Sequence, residues 1–184
     1  MATATKSLVT ANEFDRMTFE AGAELVRGEI VEMTNPAPDH GQIVMNVAEL
    51  LAEWSPRRSK GRIIPNDSRV QTGRDPDTVR GPDLLFIANE RLPSEGLTHR
   101  SLQVPPDLAV EVFSPSDRWR QVHEKVGDYL AAGVREVWVV HLRRRQVTVF
   151  RPDDEPTVLG AADELTSDVL PGFRCTVGEF FAGV

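Results

Sequence analysis

Pro82-Asp83-Leu84-Leu85-Phe86-Ile87 and, later, Asp107-Leu108-Ala109-Val110-Glu111-Val112-Phe113 are two apolar, β-prone runs. The first carries Asp83 and the second carries Glu111 among its apolar residues, acids that a buried strand would not tolerate without a reason. Burying an ionised carboxylate is costly unless a cation or a set of hydrogen bonds offsets it. If the two runs are neighbouring strands, Asp83 and Glu111 meet at one point. Two hard oxygen donors at one point suit a Mg²⁺-type ion.

The chain around these runs reads as alternating elements. Thr10-Ala11-Asn12-Glu13 has the spacing of a capping box and predicts a short helix. Residues 23–33 read as a hairpin with Arg27-Gly28 at its turn. After Asn35-Pro36-Ala37-Pro38 a helix is expected near Asp39, with Ile43, Val47, Leu50, Leu51 and Trp54 forming one apolar stripe. Strands are expected at 61–64 and 68–71, split by Pro65-Asn66-Asp67, and the polar stretch 72–81 reads as a turn or loop. Residues 88–105 form a long polar excursion. The nearly continuous apolar run 108–113 is the pattern of a strand covered on both faces. Ser114-Pro115-Ser116-Asp117 signals a helix start, with Ser114 as a cap rather than a nucleophile, and that helix stops at Gly133. Residues 137–142 and 146–151 form a second hairpin around Arg143-Arg144-Arg145, followed by a weaker strand at 157–159. The expected fold is a mixed α/β (α+β) domain spanning 1–184, a central sheet between helices with an N-terminal hairpin.

Bulk properties narrow the function classes. A chain of 184 residues, 40 % hydrophobic and 27 % charged, fits one globular domain. No apolar run approaches the roughly 18–20 residues of a membrane span. The segment Met1 to Ser7 lacks the apolar core of a signal peptide, and the single cysteine, Cys175, cannot form an internal disulfide. Both point to the cytoplasm. Cys175 is expected to pack rather than react. The net charge of −7 argues against broad, sequence-blind attraction to nucleic acid. The basic residues are clustered, at 57–62 and 143–145, and read as a solvated loop and a hairpin tip.

Lys125 has two readings. With Val122 as zero and about 100° per residue, Trp119, Val126, Tyr129 and Leu130 form an apolar stripe with Lys125 at its edge. It is either a surface lysine covering apolar area with its stem, or an ammonium bent toward both carboxylates. His99 and His123 show no ligand spacing, and no zinc pattern, phosphate-cradling glycine loop or nucleophile elbow is present.

Taken together, Glu24 to Met33, His40, Pro82-Asp83-Leu84, Val110 to Asp117, Lys125, Tyr129, Gly133 to Trp138 and Leu170-Pro171-Gly172-Phe173 resemble, in order, the Uma2 branch of the PD-(D/E)XK nuclease superfamily. The resemblance implies a restriction-endonuclease-like mixed sheet flanked by helices and a Mg²⁺-dependent site (Mn²⁺ as a substitute) hydrolysing DNA phosphodiesters. It makes Asp83 and Glu111 the metal carboxylates, with the Val112 carbonyl as a further oxygen ligand. The superfamily's lysine two residues after the glutamate is Phe113 here, so Lys125 is its implied replacement on the following helix. His40 is either a core-edge histidine or a group lining the site. Glu24 and Glu29 flank the hairpin turn, and Glu24 fits the family's glutamate. His141 stands where relatives carry aspartate and is read as shaping a turn. The alternative function is a nuclease-fold module that binds nucleic acid or assembles without cleaving. A homodimer is expected, with Val147, Val149, Phe150 and residues 170–173 as candidate contact surfaces.

Overall fold

The computed structural model describes residues 7–98, 100–114 and 118–184. His99 and, of the helix-start signal at 114–117, Pro115, Ser116 and Asp117 lie outside them. The described chain runs α1 (Ala11–Phe14), β1 (Ala23–Val26), β2 (Glu29–Glu32), α2 (Pro38–Trp54), β3 (Gly61–Pro65), β4 (Val70–Gly73), β5 (Thr78–Arg80), β6 (Leu84–Ala88), β7 (Leu108–Phe113), α3 (Trp119–Ala132), β8 (Glu136–His141), β9 (Gln146–Phe150), β10 (Thr157–Gly160), β11 (Glu164–Thr166) and β12 (Arg174–Thr176).

The two acid-bearing runs lie at the centre. β6 pairs antiparallel with β7, Leu84 opposite Val110, and β7 pairs parallel with β8 through the α3 crossover. The six-stranded mixed sheet has the order β10-β9-β8-β7-β6-β3. Because strand side chains alternate, residue parity decides which layer each one meets. Leu84, Phe86, Val110, Val112, Trp138 and Val140 face α2 and the C-terminal segment. Ala109, Val137 and Val139 face Val122, Val126 and Tyr129 of α3. Each face of β7 is therefore covered, which explains its lack of polar alternation. Gly133 ends α3 in the left-handed conformation (φ 98°), as its position predicts.

A second sheet, β2-β1-β5-β4, carries the N-terminal hairpin. Its turn residues Arg27 and Gly28 both have positive φ (49° and 78°), which matches the twist of a two-residue hairpin. The capping box at Thr10 is formed on both sides.

Several expectations need correction. The stretch 72–81 is not all loop: Thr78, Val79 and Arg80 form β5, fully buried between β1 and β4. Three residues with two polar side chains give too little periodicity to betray a strand. β11 was likewise not foreseen, and α3 starts at Trp119 after an Arg118 N-cap that makes no side-chain capping bond. The proposed dimer surfaces fail as surfaces, because Val147, Val149, Phe150, Leu170 and Phe173 are core residues of this same chain. Among the described residues no helix is long and apolar enough to cross a membrane.

Cys175 packs in the main core beside the C-terminal segment. Burial pushes its thiol up to about 12, with Glu179 and Glu164 adding to the effect. An aromatic disulfide reagent at pH 8 is expected to leave the native thiol unmodified over hours and to titrate it after denaturation. Stoichiometric labelling of the folded protein within minutes would contradict this packing.

Candidate active site

The register that sets Leu84 opposite Val110 sets Asp83 opposite Glu111 one step further on, both on the α3 side of the sheet. Directly opposed residues have Cα atoms about 4.5–5.5 Å apart. Asp83 Oδ2 accepts a 2.6 Å hydrogen bond from the Val112 amide and lies 3.2 Å from His40 Nε2. The Val112 amide therefore points toward β6, and its carbonyl points the same way. The residue that register would place opposite Val112 is Pro82, which has no N–H to donate. No ladder bond from that strand can reach the Val112 oxygen. The proline of the Pro82-Asp83 pair thus gives no donor to this carbonyl, which stands beside two carboxylates.

Glu111 is buried, and both its oxygens are engaged. Tyr129 Oη donates to Oε1 at 2.6 Å, and Lys125 Nζ lies 3.3 Å from Oε2. Lys125 also lies 3.0 Å from Glu24 Oε1, so its ammonium bridges carboxylates from β7 and β1. Burial pushes the Glu111 carboxyl up to about 8; Lys125 pulls against it, and Asp83 and Glu24 reinforce it. Burial by itself would lower the pKa of Lys125. Glu111 and Glu24 outweigh it and raise the lysine's pKa, so the ammonium stays charged. The apolar-edge position of Lys125 resolves in favour of the inward reading. Burial raises the Tyr129 hydroxyl as well, with Glu111 and Glu24 adding to the shift, so it serves as a donor.

Each residue singled out from the sequence, namely Glu24, His40, Asp83, Glu111 with Val112, and Lys125, comes to this one place. Glu29 does not; it is exposed on β2. His141 is buried against Thr148, 3.0 Å away. Three site residues escaped the sequence reading. Arg80 is buried and donates to Glu24 Oε2 at 2.8 Å, while its Nε and Nη2 reach Asp128 Oδ2 at 2.8 and 2.6 Å. Asp128 lies one helical turn past Lys125, and that i, i+3 spacing was the only available clue. Asp67, in the turn between β3 and β4, faces Asp83. Burial, the Asp83 charge and a shared hydrogen bond push its carboxyl up to about 6. Gly81 permits this approach, because a Cβ there would meet the Asp67 carbonyl oxygen at 2.8 Å.

The donor set is all oxygen: the Asp83 and Glu111 carboxylates and the Val112 carbonyl. That chemistry fits a hard divalent ion. Among the described residues no three histidine, cysteine or carboxylate side chains form a ligand group by themselves. A carboxylate has about four lone-pair sites on its two oxygens, more than the contacts described here occupy.

Comparison with known proteins agrees with this arrangement at the level of family and fold. The sequence model of Uma2, described as "Putative restriction endonuclease", matches residues 11–178. A crystal structure described as "a putative nuclease belonging to DUF820 from Anabaena variabilis ATCC 29413" superposes with a TM-score of 0.83 at 20 % identity, covering 95 % of this chain and 98 % of that one. At that identity the likeness establishes the restriction-endonuclease-like fold alone. No curated protein sequence matches.

Replacing Arg80 by methionine removes the buried cation that faces Glu24 and Asp128. The expected loss is about 3–5 kcal/mol, the cost of breaking a buried pair from one side. In urea unfolding, adding Glu24→Gln to Arg80→Met should recover part of that loss. Additive losses would show that Arg80 and Glu24 are not coupled.

Proposed function

The chain belongs to the Uma2 family, and on that premise we propose that it is a Mg²⁺-dependent endonuclease hydrolysing phosphodiester bonds in DNA, with Mn²⁺ as a substitute ion. One observation carries the reading: Lys125 stands 3.3 Å from the buried Glu111 carboxylate, on the strand face where Asp83 is its opposite number.

Asp83, Glu111 and the Val112 carbonyl are the residues that would hold the ion. When bound, it supplies Lewis-acid polarisation of a phosphoryl oxygen and activation of water. The other roles belong to side chains. Lys125, kept protonated by Glu111 and Glu24, offsets the negative charge that grows on the phosphoryl oxygens during attack. Glu24, itself held by Arg80 and the Gly81 amide, fixes where that ammonium stands. Tyr129 locks the Glu111 carboxylate in one orientation. His40, on α2, does the same for Asp83 from the opposite side. Cutting both strands of a duplex requires two such sites or a repositioning step, and a two-fold dimer would supply the former. Its contact surface would have to differ from the core residues first considered.

Plasmid DNA incubated with the protein and Mg²⁺ should be nicked, and Asp83→Ala or Glu111→Ala should reduce nicking to background. Equal nicking by the wild type and Asp83→Ala would refute the assignment. Lys125→Met is expected to slow cleavage about 10²–10³-fold, the scale for losing one preorganised electrostatic group. Titration calorimetry with Mn²⁺ should give a saturable heat that Asp83→Ala abolishes. No heat at millimolar metal would instead favour the non-cleaving module.

A further inference from the structure

Trp119, the first residue of α3, leaves 41 % of its surface exposed, whereas Trp138 is fully buried. Its ring is nonetheless fixed. Phe113 packs edge-on at 5.3 Å, His123 edge-on at 4.5 Å and His141 in a tilted arrangement at 5.0 Å. His123 is braced in turn by Phe150 at 5.6 Å. An indole held by three rings and still partly open to solvent has little rotational freedom left to lose on stacking with another flat group.

The charge around it runs against that of the whole molecule, which carries −7. Arg118 precedes the tryptophan and Arg120 follows it; both are exposed, and Arg120 shares its charge with Glu124 at 3.0 Å. Arg144, exposed in the turn between β8 and β9, lies close enough to His141 to help burial lower that histidine's pKa. Arg145 of the same turn is committed elsewhere, to the carbonyls of Phe181 and Val184. The first turn of α3 contains no acidic side chain. Arginines at the positive end of a helix oppose its dipole, a cost to folding that an anionic ligand would relieve.

The position ties this patch to the candidate site. Phe113 follows Glu111 by two residues on the same strand face. Trp119 precedes Lys125 by six residues, about 9 Å along the helix. That distance corresponds to two or three stacked nucleotides at about 3.4 Å each. A positively charged track with an aromatic platform is how proteins hold single strands, since every base offers a flat face and the phosphates supply the charge. A base inside a duplex cannot offer that face.

The geometry points to a single-stranded nucleic-acid segment as the ligand of this patch: a base stacks on Trp119 while Arg118 and Arg144 contact flanking phosphates. This deepens the nuclease reading and rests on it, making the substrate DNA that is unpaired beside the cleaved bond.

The test measures binding without cleavage. A fluorescein-labelled oligothymidylate and a blunt duplex of the same length are titrated with the full chain in EDTA, with anisotropy as the readout. The wild type should bind the single strand more tightly than the duplex and should lose tryptophan emission on binding. Trp119→Ala should weaken single-strand binding about 5- to 150-fold and leave duplex binding unchanged, with Trp119→Phe between the two. Arg144→Ala should lower the salt slope of single-strand binding by about 0.7. Circular dichroism melts check that the variants are folded. Equal single-strand affinity in the wild type and folded Trp119→Ala overturns the inference, as does no binding of either oligonucleotide. Plasmid nicking that depends on Asp83 but is indifferent to Trp119 would overturn this inference alone. Absence of both binding and nicking would remove the nuclease reading as well.

Discussion

The Glu111 carboxylate, buried in the layer between the central sheet and α3, sets the terms for everything near it. Apolar neighbours above and below the strand exclude the water that would solvate it. The structure offsets part of this cost with a phenol on one oxygen and an ammonium near the other, and burial still holds the carboxyl up at about 8. Both donors come from α3, so the helix that covers the sheet also carries the partners of this buried acid. The crossover between β7 and β8 docks that helix with Lys125 and Tyr129 turned toward Glu111 and Val122 and Val126 packed beside them.

One lysine among several carboxylates needs support of its own. Lys125 is drawn to Glu111 and Glu24 together, and Glu24 is shared with Arg80 and the Gly81 amide. Arg80 then closes the circuit back to α3 through Asp128. The N-terminal hairpin sheet is thereby tied to the helix by charge as well as by packing. Such a network is costly to break at any one member, since removing one partner leaves another charge buried and unpaired. The cation beside Glu111 comes from the helix, and Phe113, two residues further along the strand, carries an aromatic ring. That ring packs against Trp119.

Legibility differed from residue to residue for physical reasons. Asp83 and Glu111 stood out because an acid in an apolar, β-branched run conflicts with its surroundings, and that conflict is written in the local sequence. Lys125 was ambiguous, since its angle placed it at the edge of the apolar stripe, where long side chains turn either way. Glu24 and His40 could be linked to the site only through the family pattern. Arg80, Asp67 and Asp128 gave almost no local signal. They lie in a three-residue strand, a turn between strands and a polar helix face, and each matters because of what stands opposite it.

By itself the amino-acid sequence determined the order of the helices and most strands, the doubly covered central strand with Glu111 in it, and the acid Asp83 ahead of a second apolar strand, because periodicity and burial cost are properties of neighbouring residues. Tertiary structure alone decided that β5 is a strand, that Val147, Val149, Phe150 and Phe173 are core rather than surface, and that Arg80 joins Glu24 to Asp128. Those outcomes depend on pairing between segments distant along the chain. A residue's burial and its charged partners are then fixed by the element docked against it, which no local pattern records.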